Sequence, residues 1–213
     1  MRFSFLIPAL VLLLAAQVAC RAEERVLFDG TSLDGWAHTG PGYFELDPKE
    51  ACLISRGGMG MLFYYDQKFD DFELTLEWNA ISREANSGVF IRFPNLPKKD
   101  RPPDAKGRGI AGPWAAVHEG YEVQICDAAG PGNRTGSLYS FFDSTEVPTK
   151  EPGQWNEMKV RVVGQHYEVF VNGKKIGDYQ GDRALSGYIG LQNHDPNSEV
   201  RYRNIRVKPL EKK

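Results

Sequence analysis

Polar and apolar residues alternate along several stretches of this chain, most clearly between Gly120 and Asp127. Successive side chains of a β-strand point to opposite faces, so this stretch predicts a strand with two unlike faces. The apolar face, suited to a core, carries Tyr121, Val123 and Ile125. The other face carries Glu122, Gln124 and Cys126, with Asp127 at the end of the strand. A carboxylate beside an amide in mid-strand belongs either to a solvated outer face or to the floor of a binding groove.

Similar short patterns recur along the whole chain. They predict strands over residues 26–28, 52–55, 61–65, 71–78, 86–93, 135–142, 155–163, 166–171, 174–179, 187–194 and 200–207. Asn172-Gly173 predicts a tight hairpin, because both central residues of a type I′ turn need positive φ. Many short strands and no long helical pattern predict an all-β protein, a jelly-roll sandwich of two antiparallel sheets.

Residues 94–119 interrupt this rhythm with five prolines and several glycines. A long irregular stretch inside a compact domain is usually functional or disordered. Because it leads into the strand of Glu122, it could form a flap over a groove, with Trp114 and His118 as contacts. A disordered surface insertion is the alternative, which the basic cluster at 98–101 favours.

Length and charge narrow the function. A chain of 213 residues suits a single domain, here residues 23–213, and the formal net charge of -2 argues against nucleic acid as a partner. Residues 1–22 read as a signal peptide, too short in its apolar run for a membrane span, so we expect a periplasmic or extracellular protein. Cleavage after Ala22 competes with lipidation at Cys20, which would make an outer-membrane lipoprotein.

An exported protein meets an oxidising compartment, so Cys52 and Cys126 could form a disulfide. Two separate buried thiols are the alternative, and the sequence leaves both open.

Other strand faces also carry polar side chains that could line a groove. Besides Glu122 and Gln124 they are Arg92, Tyr139, Gln192 and His194. Arg92 follows a glycine and an aromatic residue on its face and could grip a polyol, although an exposed surface position is the usual one for a single strand arginine.

Five motifs in a fixed order make the chain resemble the 3-keto-disaccharide hydrolase family, also described as 3-keto-glucoside lyases and hydratases. They are LFDGTSLDGW, DFELTLEW with NSGVFIR, GYEVQICD with TGSLY, WNEMKVRVVGQHYEVFVNGK, and GYIGLQNH with RYRNIRV. The resemblance spans about Val26 to Leu210. The chain departs from the family's Asp-His-Gly run, where it has Asn193-His194-Asp195.

The resemblance implies a concanavalin A-like lectin/glucanase jelly roll with a sugar-directed active site on one sheet. A ketone at C3 of a glucoside acidifies the hydrogen on C2, so the chemistry needs a base, an acid for the leaving oxygen and donors for an enediolate. Glu122 fits the base and His194 the acid. Arg92 with Gln124 or Gln192 fits the stabilising donors. The expected sugar contacts are Asn86, Asp127 and Tyr139, with Trp114 closing over the ring.

Two other classes stay open. A lectin-like module would bind sugar on the same face without turnover. A retaining glycosidase needs two carboxylates about 5 Å apart, but the Glu-x-Asp-x-x-Glu pattern of jelly-roll glucanases is absent. No cofactor is expected. No His/Cys cluster has ligand spacing, yet Glu122, Asp127 and His194 could meet in space, so a divalent metal stays open.

Overall fold

The computed structural model describes residues 23–95 and 112–211. The expected signal peptide with Cys20, and the basic cluster at 98–101, lie outside these residues. The described part contains one short helix, α1 (Pro113–Glu119), and thirteen strands. The strands are β1 (Arg25–Phe28), β2 (Trp36–Thr39), β3 (Tyr43–Asp47), β4 (Cys52–Arg56), β5 (Gly60–Phe69), β6 (Phe72–Ala80), β7 (Ser87–Phe93), β8 (Tyr121–Ile125), β9 (Asn156–Val163), β10 (His166–Val171), β11 (Lys174–Gln180), β12 (Gly187–Asn193) and β13 (Val200–Pro209).

The strands form two antiparallel sheets. The larger has the order β11-β10-β9-β6-β13-β4-β3, with β1 paired to β13, and the smaller has the order β2-β5-β12-β7-β8. This confirms the predicted all-β sandwich. The hairpin between β10 and β11 is also confirmed, because Asn172 (φ 48°) and Gly173 (φ 79°) both take the left-handed conformation.

The main core lies between the sheets and is built by the alternation that the sequence shows. Phe72, Leu74, Leu76 and Trp78 of β6 are all buried in it. The neighbouring strands of the small sheet add Val89, Ile91, Tyr121, Val123, Ile125, Ile189 and Leu191. A second, smaller apolar cluster lies on the other side of the five-stranded sheet, beneath α1. It contains Met61, Phe63, Phe90, Phe93 and Ala116. This cluster anchors α1 beside the outer face of the small sheet.

Three predictions of local structure were incomplete. Strands β2 and β3 were not predicted, and α1 occupies part of the stretch expected to be irregular. Residues 135–142 form no regular strand. The backbone N–H of Gly136 and Tyr139 donates to β8 carbonyls, and the chain then reverses at Ser140 (φ 67°). This segment therefore lies along the edge of β8, close to Glu122.

Candidate functional site

Strand β8 presents its polar side chains on the outer face of the five-stranded sheet. Tyr121, Val123 and Ile125 point into the main core, whereas Glu122 and Gln124 line a cavity on the opposite face. Of the two alternatives for this polar row, the structure shows the floor of a cavity.

The cavity brings together residues from distant parts of the sequence. Its volume is about 230 Å³, which is below the roughly 300–1,000 Å³ typical of pockets for drug-sized ligands. Its lining is Met59, Asn86, Pro113, Trp114, Val117, Glu122, Gln124, Ala129, Asn133, Tyr139, Gln192 and His194. Seven of the nine predicted site residues are among them, and the exceptions are Arg92 and Asp127.

Glu122 is the most perturbed acid of the site. Its side chain is only 3% exposed, and Oε1 finds no hydrogen-bond partner among the described residues. Burial raises the pKa of Glu122 to about 8, and a hydrogen bond with Gln192 offsets a smaller part of the shift. A carboxyl group with this pKa can exchange a proton near neutral pH.

Gly88 makes the space for this carboxyl group. It lies on β7 opposite Gln124, next to the pair formed by Phe90 and Glu122. A methyl group at Gly88 would lie 2.5 Å from Oε1 and 2.9 Å from Cγ of Glu122. Any larger residue here would displace the acid.

Three amide side chains surround the acid with unused acceptors. Asn86 Oδ1, Gln124 Oε1 and Gln192 Oε1 are buried and have no hydrogen-bond partner among the described residues. Buried polar atoms are nearly always paired in native proteins, so unpaired ones aimed into one cavity indicate a polar ligand. The described lining contains neither lysine nor arginine. It therefore suits an uncharged ligand rich in hydroxyl groups.

His194 has a carboxylate partner from its own turn. Its Nδ1 lies 3.0 Å from Asp195 Oδ2, which also accepts from Ser198 Oγ at 2.7 Å. Although desolvation opposes it, these hydrogen bonds lower the pKa of Asp195, so Asp195 is a carboxylate at neutral pH. Asp195 thus stands where the family motif has glycine and orients His194. The preceding Asn193 instead donates to the backbone carbonyls of Tyr43 and Arg56.

Helix α1 supplies one wall of the cavity. Trp114 lines it, and the His118 ring stacks on the indole at 6.0 Å between centroids and 27° between planes. Ala116 on the other side of the helix packs into the small apolar cluster. Trp114 therefore lines the cavity, whereas His118 is not part of its lining.

Arg92 is not part of the cavity, and the prediction that it stabilises the reaction is corrected. A β-bulge between β7 and β12 disrupts the alternation, and Arg92 adopts φ 59°. Its side chain is fully buried, where it donates to Asp71 Oδ1 at 3.2 Å and to the Ala184 carbonyl at 3.0 Å. Arg92 therefore holds the chain together at the far end of β7.

Asp127 also serves the scaffold and does not line the cavity. Its two oxygens accept from Thr135 Oγ1 and Thr149 Oγ1, each at 2.6 Å. These bonds fix the loop after β8, which includes Asn133. Asn133 lines the cavity but was not predicted, because it lies in a turn with no alternating pattern.

The remaining predictions concern metals, membranes and cysteines. In residues 23–95 and 112–211 no group of three or more His, Cys, Asp or Glu side chains could hold a metal ion. The same ranges contain no helix long and apolar enough to cross a membrane. Cys52 and Cys126 are two separate buried thiols, the second of the alternatives considered.

The fold is shared with solved structures of low sequence identity. A candidate glycosyl hydrolase from Parabacteroides distasonis has a TM-score of 0.69 at 18% identity, covering 88% of this chain and 94% of that one. A Bacillus subtilis protein of unknown function with a galectin-like fold has a TM-score of 0.60 at 15% identity, covering 91% and 97%. The carbohydrate-binding module CBM66 from Bacillus subtilis has a TM-score of 0.57 at 14% identity, covering 82% and 95%. The predicted concanavalin-like jelly roll is confirmed.

The sequence comparison is more specific than the fold. Residues 23–208 match the family described as 3-keto-alpha-glucoside-1,2-lyase-like domain, and the chain belongs to this family. No curated protein sequence matches it.

Proposed function

We propose that this protein cleaves the glycosidic bond of 3-keto-glycosides by elimination, followed by addition of water. A carbohydrate-related function is supported by the family. The observation that carries the finer proposal is Glu122, a buried acid at the floor of a small polar cavity. Its pKa is near 8, and its Oε1 has no hydrogen-bond partner within residues 23–95 and 112–211. The ideal pKa of a general base lies near the working pH.

Glu122 acts as the base in the proposed reaction. The 3-keto group acidifies the C2 hydrogen, which moves as a proton to the Glu122 carboxylate. The electron pair of the C2–H bond forms an enediolate with the ketone. Its collapse makes the C1–C2 double bond and breaks the bond from C1 to the leaving oxygen. Water then adds to the unsaturated sugar, giving net hydrolysis.

The other groups assist charge and proton transfer. The amide N–H groups of Gln124 and Gln192 stand beside Glu122 and can donate to the enediolate oxygen. His194 lines the cavity and is held by Asp195 through Nδ1, and in the proposed reaction its other ring nitrogen, Nε2, protonates the leaving oxygen. Asn86 and Tyr139 hold sugar hydroxyls, and Trp114 covers the ring. Every one of these groups lines the same cavity.

A non-catalytic lectin-like module is the second candidate. It is favoured by the likeness to CBM66, a carbohydrate-binding module. A binding module has no need for an acid whose pKa is raised to about 8 by burial, since ionisation of that acid weakens the fold. Glu122 therefore favours the enzyme.

The test is incubation with 3-keto-glucosides beside their unoxidised parents while aglycone release is followed. We expect release from the keto compounds only, and its loss by a factor on the order of 10² to 10⁴ in Glu122→Gln. Release from neither compound, with binding intact, would establish the lectin-like module. Parental turnover by Glu122→Gln would exclude this residue as the base.

We also propose that the protein is exported, on the basis of residues 1–22. The mass of the intact mature protein should then correspond to a chain whose first residue is Glu23. A diacylglyceryl adduct on Cys20 would instead identify a lipoprotein.

A further inference from the structure

A second, larger cavity lies beside the first. Its volume is about 660 Å³, and it is lined by His38, Thr39, Gly40, Pro41, Met59, Gly112, Pro113 and Trp114. Met59, Pro113 and Trp114 line both cavities. The two spaces therefore adjoin along these three residues on the outer side of the five-stranded sheet, and together they are called the groove.

The groove follows from the order of strands. Glu122 lies on β8 at one edge of the small sheet, and His38 and Thr39 lie on β2 at the opposite edge. Between them Asn193 of β12 pairs with Gly60 of β5. His38 stands over this point, because a methyl group at Gly60 would lie 3.0 Å from its Nε2. The larger cavity thus lies on the β2 side of the small one.

Residues that follow β8 bound the small cavity on the other side. Ala129, Asn133 and Tyr139 line it beyond β8. The loop carrying Ala129 and Asn133 is fixed by Asp127, which binds Thr135 and Thr149. The larger cavity is therefore the direction open to the rest of a ligand whose sugar ring lies over Glu122.

The two cavities differ in chemistry. The small one contains a carboxyl group and four side-chain amides, whereas the larger one offers His38 and Thr39 as polar side chains beside Trp114, with Met59 and two prolines as apolar wall. A second sugar ring carries several hydroxyl groups, and each one left unpaired on burial costs free energy. An aromatic ring needs no such partners and can pack against Met59, the two prolines and the edge of Trp114.

We propose that the larger cavity binds the leaving group and that it selects an aromatic, largely apolar aglycone. This inference rests on the proposed function, because it identifies the leaving-group side of the same site. It defines the substrate class as 3-keto-glycosides of aromatic alcohols or phenols.

The experiment compares benzyl, methyl and glucosyl 3-keto-glucosides in both anomers. Benzyl alcohol and methanol are alkoxide leaving groups of similar acidity, so a difference between them reports binding rather than leaving-group chemistry. We expect kcat/KM for the benzyl compound to exceed that for the methyl compound by about tenfold or more, as burial of a phenyl ring implies. An equal gain for the glucosyl compound would show a saccharide site, and no gain for either would overturn the subsite.

Substitutions test whether the benzyl preference arises in the larger cavity. Thr39→Trp fills the larger cavity and should abolish the benzyl preference while retaining turnover of the methyl compound. If Thr39→Trp does not fold, His38→Ala is the second variant. It removes a ring from the wall without adding bulk and should reduce the benzyl preference. Thr75→Trp, on the eight-stranded sheet, is the matched control and should keep the preference. An unchanged preference in folded Thr39→Trp and His38→Ala would contradict the assignment.

Binding separates this inference from the proposed function. Titration with unoxidised benzyl and methyl glucosides needs no turnover. Tighter binding of the benzyl compound, lost in Thr39→Trp, would support the subsite even if no 3-keto-glycoside were cleaved. Equal affinities together with cleavage of the keto compounds would leave the function standing and refute the subsite.

Discussion

Gly88 and Glu122 face each other across neighbouring strands so closely that a single methyl group at Gly88 would lie 2.5 Å from the Glu122 carboxyl oxygen. Glycine at position 88 leaves the space in which the Glu122 carboxyl is buried, and the part of the chain that the structure describes offers Oε1 no hydrogen-bond partner. A substitution at Gly88 can therefore change the position of the Glu122 carboxyl without changing the carboxyl itself.

Gly88→Ala should therefore lower activity without removing any functional group. The added methyl forces the Glu122 carboxyl to move, and a displacement near 1 Å can cost on the order of 10²-fold in rate. Steady-state kinetics on a 3-keto-glucoside, with circular dichroism as the check on folding, measures this. Gly130→Ala is the control, since a methyl there meets nothing within 4 Å. Full activity in Gly88→Ala would show that the acid need not hold its position.

The pH dependence of kcat/KM should report the raised pKa of Glu122. A base must be ionised, so the limb of kcat/KM that belongs to Glu122 should rise about tenfold per pH unit below pH 8 and bend near the pKa of about 8. A bend in the pH profile near 4.5, the ordinary pKa of glutamate, would show that burial does not raise the pKa of Glu122 in the working enzyme.

Stability should change with pH in the opposite sense. The folded protein keeps the Glu122 proton up to about pH 8, whereas the unfolded chain releases it near 4.5. Between these values the native state binds the extra proton, so the free energy of unfolding falls as pH rises.

Glu122→Gln removes this decrease in the free energy of unfolding at high pH. It should stabilise the protein by on the order of several kcal/mol at pH 8.5 and have little effect at pH 4, by urea denaturation. Glu168→Gln should show the opposite sign at pH 8.5, because hydrogen bonds with Lys175 and Arg161 lower the pKa of Glu168. Destabilisation of Glu122→Gln at pH 8.5 would mean that the ionised acid is well paired in the native state.

Substitution of Arg92 should lower the stability of the fold and leave substrate binding unchanged. Arg92→Ala leaves Asp71 without its buried partner, and such losses typically cost about 3–5 kcal/mol. KM of the folded fraction should stay unchanged, since Arg92 is fully buried and does not line the cavity. A large increase in KM with normal stability would restore the polyol-gripping role.

His194→Gln tests the proposed acid through the leaving group. A methoxide needs protonation far more than a phenolate does, so the loss of kcat/KM should be larger for methyl than for phenyl 3-keto-glucoside. Asp195→Asn should show the same trend more weakly, because Asp195 acts only by holding Nδ1 of His194. Equal losses for both substrates would assign His194 to binding rather than to proton transfer.

Local patterns determined most of the strands and, through them, several residues of the site. The alternation in β8 correctly separated Glu122 and Gln124 from the core row. The alternation in β12 did the same for Gln192, and His194 follows directly after that strand. A residue's face on a regular strand depends only on its backbone phase, which the sequence shows directly. The order of motifs also carried the family and the fold.

Tertiary structure decided which residues lie against those strand faces. The bulge at Arg92 reversed the expected phase, because a single left-handed residue turns its side chain into the core. Asn133 and the wall of Met59 and Pro113 come from turns and from a short helix, whose positions depend on packing beneath α1. The pKa of Glu122 also belongs to this level. A shift to about 8 requires burial, and burial arises only when β7, β8, β12 and α1 close around one carboxyl group.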